Sequence, residues 1–139
     1  MIFRVEGRVQ GKARARTFYN KRIGKMQSIT PLQTKSYEDL IRWNYKASGG
    51  KYFEDKAVKV SIKAFYSIPQ AFSQTKREQA LQGQLRPQIK PDTDNILKVV
   101  LDALNGIAYY DDKQVISLNC EKWYAEKGCL EIEIKEIEK

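Results

Sequence analysis

Histidine is absent from this chain of 139 residues, and that absence narrows the chemistry available to the protein. Without imidazole, the chain has no histidine to act as a general base. Cysteine is also scarce, because Cys120 and Cys129 lack both the spacing of a zinc site and the density of a disulfide framework. We expect both to be ordinary strand residues. Carboxylates with a hard cation such as Mg²⁺ therefore become the expected means of activating water.

Long apolar runs are missing as well. The first ten residues carry Arg4, Glu6 and Arg8 where a signal peptide would need an apolar stretch. We therefore expect a cytoplasmic protein with no membrane segment. A length of 139 residues with 42% hydrophobic residues predicts one domain over 1–139 with one core.

Acidic residues are lacking from one part of the chain. Residues 1–59 hold 14 Lys and Arg against 5 Asp and Glu, although the whole chain has a net charge of only +8. The stretch from Arg8 to Lys25 holds seven basic residues and no acidic one. Such a stretch matches the charge density of a polyanion such as nucleic acid. It also fits a solvated loop that only keeps the protein soluble, and the residues alone leave both interpretations open.

Alternation and capping signals predict an α+β fold, a small single domain with a mixed sheet covered by helices. We expect the last two strands to form a C-terminal antiparallel β-hairpin through the turn Glu126-Lys127-Gly128. The predicted elements are a strand over 2–9, a basic loop over 10–31, a helix over 37–47 capped by Thr34 or Ser36, a strand over 57–68, helices over 73–81 and 93–105, and strands over 114–125 and 129–137.

The most informative segment gathers carboxylates around the helix predicted over 93–105. Asp92 and Asp94 lie at its start, where they could converge on one cation, and Lys98 follows four residues after Asp94. The pair Asp111-Asp112 precedes the next strand, so a loop could return one carboxylate to the helix start. Three carboxylates around an exposed cation leave positions for water and phosphate oxygens, as metal-assisted phosphodiester hydrolysis requires.

Structural explanations for the same residues stay open at this point. Asp92 and Asp94 are also typical of a helix N-cap and first turn. Asp111-Asp112 is typical of a turn ahead of a strand. Lys98 could be a surface residue that pairs with Asp94 or Asp102.

The string KPDTDNILKVVLDALNGIAYYDDKQV, residues 90–115, resembles the signature of the RusA family of Holliday junction resolvases. That signature runs Asp-x-Asp-Asn, then Lys, then Asp-Ala-Leu, then Asp-Asp-x-Gln-Val. The stretches VQGKARARTF and TPLQTKSYEDL also resemble phage-type members of the family, though more weakly.

The resemblance implies a RusA-like fold and a Mg²⁺-dependent endodeoxyribonuclease for which Mn²⁺ substitutes. It implies a homodimer that resolves four-way DNA junctions by paired symmetric cuts in recombination and repair. It places Asp92, Asp94 and Asp112 as catalytic metal ligands, with Lys98 at the scissile phosphate and Asp111 and Asn95 as further ligands or supporting residues. DNA contacts are expected from Lys12, Arg14, Arg16 and Lys90. The alternatives are a nuclease for other branched or flap DNA and a DNA-binding module without catalysis.

Overall fold

The computed structural model describes residues 1–13, 16–29 and 31–137 of the chain. The strands are β1 (Ile2–Glu6), β2 (Arg16–Asn20), β3 (Lys25–Ile29), β4 (Val58–Ser67), β5 (Val115–Ala125) and β6 (Cys129–Glu136). The helices are α1 (Leu32–Ala47), α2 (Gln74–Leu81) and α3 (Thr93–Leu104), and a 3₁₀ turn covers Asp112–Gln114. Within the described residues, β1, β6, β4 and β5 form a mixed sheet in that order. The predicted α+β class with a mixed sheet is confirmed.

The hydrophobic core lies on one face of this sheet, because apolar and polar side chains alternate along its strands. Helices α1 and α3 pack against each other and against that face. Strand β4 confirms the predicted alternation, and β6 pairs with it in a register that keeps the buried side chains on the same face. The buried residues on this face of the two strands are Val58, Val60, Ile62, Ala64, Tyr66, Leu130, Ile132 and Ile134.

Helix α3 closely matches its predicted range, because its apolar spacing, its N-cap residue and the glycine after its end all favour a helix. Its apolar residues recur at helical spacing and are buried, Asp92 occupies the N-cap position, and Gly106 adopts a φ of 83° just beyond the end. The buried residues of the helix are Ile96, Val99, Val100, Ala103 and Leu104. Helix α2 is also confirmed, with the hydroxyl of Ser73 accepting a hydrogen bond from the backbone N–H of Lys76 at 3.2 Å.

Helix α1 begins at Leu32, five residues before the predicted start, with Pro31 at its N-cap position. The predicted cap residues are therefore wrong, because Thr34 lies inside the helix and is buried. Ile41 and Tyr45 of this helix are buried in the core, whereas Trp43 is 67% exposed.

The predicted C-terminal hairpin is wrong. Strands β5 and β6 run antiparallel to each other, but β4 lies between them and pairs with both. The connection Glu126-Lys127-Gly128 therefore passes over the end of β4, where Phe65 pairs with Cys129. Three residues are sufficient for this connection, because two strands separated by one intervening strand lie about 10 Å apart. Both cysteines are free strand residues, as predicted.

The prediction of a basic loop over 10–31 is also wrong. Strands β2 and β3 form a second, two-stranded antiparallel sheet in which Tyr19 lies opposite Met26. We call residues 16–29 the basic hairpin. None of the described helices is long and apolar enough to cross a membrane.

Candidate active site

Two carboxylates lie at the N-terminus of α3. Asp92 and Asp94 are both exposed, and the partial positive charge of the helix N-terminus favours them. Asp94 accepts a hydrogen bond from the backbone N–H of Asn95 at 2.9 Å. The Asp92 side chain makes no capping hydrogen bond among the described residues, although it occupies the N-cap position. Capping therefore explains why an aspartate occupies this position, but its carboxylate does not perform the capping hydrogen bond.

The backbone before Asp92 is tied to the sheet through Tyr66. The Tyr66 hydroxyl donates a hydrogen bond to the carbonyl oxygen of Pro91 at 2.6 Å. Burial raises the pKa of Tyr66, and the nearby Cys120 and Asp92 add smaller effects in the same direction. The start of α3 is thus held against the end of β4.

A second acidic pair forms the 3₁₀ turn before β5. Asp111 caps this turn by accepting a hydrogen bond from the backbone N–H of Lys113 at 3.0 Å. The buried Gln114 accepts from the backbone N–H of Asp111 at 2.9 Å and donates to the carbonyl oxygens of Glu54 and Lys56 at 2.7 and 2.9 Å. Gln114 therefore fixes the turn to the loop before β4.

The two carboxyl groups of this pair differ in their environments. The hydrogen bond from the Lys113 backbone lowers the pKa of Asp111. The hydrogen bond shared with Asp111 raises the pKa of Asp112, and burial and the negative charge of Asp111 add to this rise. The carboxylate of Asp111 thus serves to hold the turn. The carboxylate of Asp112 is less well stabilised in its charged form than that of Asp111.

A chain of ion pairs runs along the exposed side of α3. The Lys98 ammonium lies 3.2 Å from one carboxylate oxygen of Asp102, and the Lys12 ammonium lies 3.1 Å from the other. Lys12 also lies 3.3 Å from a carboxylate oxygen of Glu38, which is buried on α1. Lys12 therefore joins α1 to α3. Lys98 keeps 59% of its side chain exposed, so its ammonium stays accessible.

The structure brings Asp112 towards Lys98 and Asp102. The charge of Lys98 opposes the rise in the pKa of Asp112, and the charge of Asp102 adds to it. The buried Tyr109, whose hydroxyl donates to the carbonyl oxygen of Leu101 at 2.8 Å, lies beside the same carboxylates. Burial raises the pKa of Tyr109, and Asp112, Asp102 and Asp111 raise it further, in that order.

The predicted grouping of Asp92, Asp94 and Asp112 is not assembled as a three-ligand cluster. Across residues 1–13, 16–29 and 31–137, no three or more His, Cys, Asp or Glu side chains lie close enough to hold a metal ion together. The donor chemistry still fits a hard cation, because the site offers only carboxylate oxygens. Mg²⁺ commonly takes one or two protein carboxylates and completes its shell with water and substrate phosphate.

The remaining predicted residues are distributed around the start of α3. Asn95 contributes its carbonyl oxygen, which accepts a hydrogen bond from the backbone N–H of Lys12 at 2.8 Å. Lys90 is exposed and lines a cleft of about 640 Å³ together with Arg8 and Lys127. Arg14 and the side chain of Arg16 lie outside the described residues. The DNA contact by Lys12 stays a prediction. Its ammonium already forms ion pairs with the carboxylates of Glu38 and Asp102.

The pairing of Lys98 with Asp102, one of the two partners that helical spacing predicts, is confirmed. Sequence reasoning missed two other residues that build this region. Glu38 carries no sequence signal for its distant partner Lys12. Gly11 is packed so tightly that a Cβ atom there would lie 2.8 Å from the Asn95 Cβ and 2.9 Å from the Pro91 Cβ.

Comparison with known proteins identifies the family of this chain. The family model described as endodeoxyribonuclease RusA matches residues 6–135. The uncharacterised protein YqaN of Bacillus subtilis (strain 168) is 33% identical over 118 residues, which cover 84% of this chain and 83% of that protein. The crossover junction endodeoxyribonuclease RusA of Lactococcus phage r1t is 33% identical over 116 residues, which cover 82% and 81%. The chain belongs to the RusA endodeoxyribonuclease family.

Proposed function

We propose that this protein is a Mg²⁺-dependent endodeoxyribonuclease that resolves four-way DNA junctions by paired symmetric cleavage. The observation that carries the proposal is membership of the RusA family over residues 6–135, within which Asp92, Asp94, Lys98 and Asp112 lie on α3 and in the turn before β5. A related phage protein is named as a crossover junction endodeoxyribonuclease, which supports the same substrate class.

In this proposal the metal would be held by Asp92, Asp94 and Asp112, with Mn²⁺ as a substitute. When bound, it would supply an activated water and would neutralise charge on the phosphate. Asp111 keeps the turn in place, and Asn95 supports the site through its backbone. Lys98 presents an exposed ammonium beside Asp102, where it can hold a phosphate oxygen and stabilise charge that develops during cleavage.

We propose a homodimer, because two symmetric cuts require two symmetric sites. The phosphate backbone of the junction arms would be bound by Lys90 together with the basic N-terminal stretch, to which Arg14 and Arg16 belong. Recombination and repair are the processes that such an enzyme would serve.

One observation favours a second candidate, a DNA-binding module without catalysis. The described carboxylates form no three-ligand group, and Asp111 has a sufficient structural role as a cap. A cleavage assay on a synthetic four-way junction beside matched duplex and flap, with and without Mg²⁺, decides between the candidates. Mg²⁺-dependent cleavage of the junction alone supports the proposal. Junction binding without cleavage supports the binding module, and equal cleavage of all three substrates supports a general nuclease.

A further inference from the structure

The tip of the basic hairpin combines exposed apolar side chains with exposed cations. Tyr19 and Met26 lie directly opposite each other on β2 and β3 and are 58% and 61% exposed. Ile23, in the turn between these strands, is 50% exposed. Around them the side chains of Lys21, Arg22 and Lys25 are also exposed. No acidic residue occurs between Glu6 and Glu38, so the whole hairpin is cationic.

The tip has a defined conformation, as a binding element requires. Asn20 donates a hydrogen bond from its side chain to Gln27 at 2.8 Å and accepts one from the backbone N–H of Arg22 at 2.9 Å. The backbone N–H of Gly24 donates to the Asn20 carbonyl oxygen at 2.8 Å, with Gly24 at a φ of 65°. This network fixes the backbone of the turn that carries the apolar and basic side chains.

The residues that precede the hairpin are fixed beside the candidate active site. Lys12 and Ala13 donate backbone hydrogen bonds to the Asn95 carbonyl oxygen at 2.8 Å and to the Thr34 hydroxyl at 3.2 Å. Strands of five residues give the hairpin a length of about 17 Å, roughly five base-pair steps of duplex. A hairpin of this length can contact several neighbouring base pairs of a bound DNA.

We infer that the tip of the basic hairpin is a DNA wedge that inserts Tyr19, Ile23 and Met26 at the branch point while Lys21, Arg22 and Lys25 bind the flanking phosphates. This inference rests on the proposed function, because it takes branched DNA as the substrate. Apolar side chains of DNA-binding proteins can insert between base steps and unstack them, which costs free energy. That cost is smallest where bases are already poorly stacked, so a wedge favours a branch point over intact duplex.

The test uses the full chain and a junction that carries 2-aminopurine at the branch point. The apolar variant is Tyr19→Ser/Ile23→Ser/Met26→Ser, and its matched control is Trp43→Ser, an exposed aromatic on α1. The charge variant is Lys21→Gln/Arg22→Gln/Lys25→Gln, and its matched control is Lys46→Gln/Lys63→Gln/Lys135→Gln, three exposed lysines elsewhere. Affinities for junction and duplex are measured across a salt series, and melting temperatures verify that each variant is folded.

The apolar variant should lose the rise in 2-aminopurine fluorescence and about tenfold of its preference for junction over duplex, with an unchanged salt slope. The charge variant should weaken both affinities and reduce the salt slope by about 2.7, because three phosphate contacts are lost. The single variant Ile23→Ser should show a smaller loss of fluorescence if the triple variant is unstable. Each control should match the wild type in fluorescence and in preference.

Three results separate this inference from the proposed function. Wild-type junction preference, fluorescence and salt slope in both tip variants would overturn the wedge, even if the protein cleaves junctions. Tip-dependent fluorescence without any Mg²⁺-dependent cleavage would support the wedge and overturn the proposed enzyme. Tip-dependent binding to phosphatidylserine vesicles, with no such dependence for DNA, would overturn the wedge in favour of a membrane surface.

Discussion

Asp111 and Asp112 are adjacent in sequence but lie in different environments. Asp111 accepts a backbone hydrogen bond that holds the 3₁₀ turn, and that bond lowers its pKa. Asp112 lies beside this anion, and its pKa is raised. The structure thus supports Asp112, rather than Asp111, as the carboxylate of the pair that would gain from a cation.

Replacing Asp112 by Asn should stabilise the protein in EDTA at pH 7. A raised folded-state pKa means that stability is fully present below the unfolded pKa, about 3.9, and is lost as the pH rises through the folded-state value. The gain at pH 7 should stay below about 1 kcal/mol because solvent screens this carboxyl. The gain in stability should vanish at pH 3, where the Asp112 carboxyl is mostly neutral in both the folded and the unfolded state.

Urea unfolding of Asp112→Asn, wild type and the control Asp55→Asn at both pH values measures this effect. Asp55 is exposed and lies outside the acidic turn, so its variant should match the wild type. A loss of stability in Asp112→Asn at pH 7 would contradict the description of the pair.

Replacing Lys98 by Ala should slow cleavage more than it weakens DNA binding. A cation beside the scissile phosphate acts mainly on charge that develops in the transition state, so the single-turnover rate should fall about 10- to 100-fold. The neighbouring exposed Lys113 offers a matched control, Lys113→Ala. Equal single-turnover rates for the two variants would place Lys98 outside the reaction.

The segment before the basic hairpin joins the two core helices. Its ion pairs connect Lys12 to Glu38 on α1 and to Asp102 on α3, and Gly11 allows the close approach to Asn95. Buried carboxylates are strongly destabilising without a partner. We therefore interpret Lys12 as a structural residue at the edge of the site, although the sequence alone favours a DNA contact.

The variant Lys12→Met should destabilise the fold by about 1–3 kcal/mol, because Glu38 would remain buried without its cation. Lys35→Met, which removes an exposed lysine from the same basic region, should change stability by less than about 0.5 kcal/mol. Chemical unfolding of both variants measures the difference. If both variants unfold like the wild type and Lys12→Met loses DNA affinity, the original prediction of a phosphate contact is correct instead.

Elements with one buried face could be predicted from their periodicity, and the polar helix α2 could be predicted from its cap residue Ser73. Helix α3 and strand β4 show their periods because alternate or helically spaced side chains enter the core. The basic hairpin exposes Tyr19 and Met26, so no burial period marks its strands. Strand β6 shows the expected alternation, but alternation does not specify which strand lies next to which.

The residues of the candidate site could also be predicted only where the signal is local in sequence. The signature over 90–115 indicated the acidic residues and Lys98, because they lie close together in sequence and match a known pattern. The roles of Glu38 and Gly11 depend on contacts between segments distant in sequence, which no local spacing encodes. The divergence of Asp111 and Asp112 depends on one backbone hydrogen bond in the folded turn.

Across the whole molecule, basic and acidic residues are concentrated in different regions. The net charge of +8 comes from the N-terminal half, whereas the acidic residues of the site lie on α3 and in the turn before β5. A cationic surface beside a carboxylate site attracts a polyanion and leaves the anionic site to a cation. This separation of charge is what the proposed metal-dependent nuclease would require.

The protein should be a dimer both free and on a junction. Two symmetric incisions require two sites related by a two-fold axis. Sedimentation velocity on the free protein and on a protein–junction mixture measures the mass directly. A monomer under both conditions would contradict the paired mechanism and leave open a nuclease that cuts one strand at a time.

The proposed function requires Asp92 and Asp94 to be metal ligands in a junction-cleaving site. Single-turnover cleavage of a four-way junction in Mg²⁺, measured for wild type, Asp92→Asn, Asp94→Asn and the control Asp55→Asn, tests it most directly. The amide keeps the shape of each side chain but weakens the hard-cation site. We expect both site variants to bind the junction with near wild-type affinity and to cleave it at least about 100-fold more slowly, with the control unchanged. Cleavage by either site variant within a few-fold of the wild-type rate would contradict the claim.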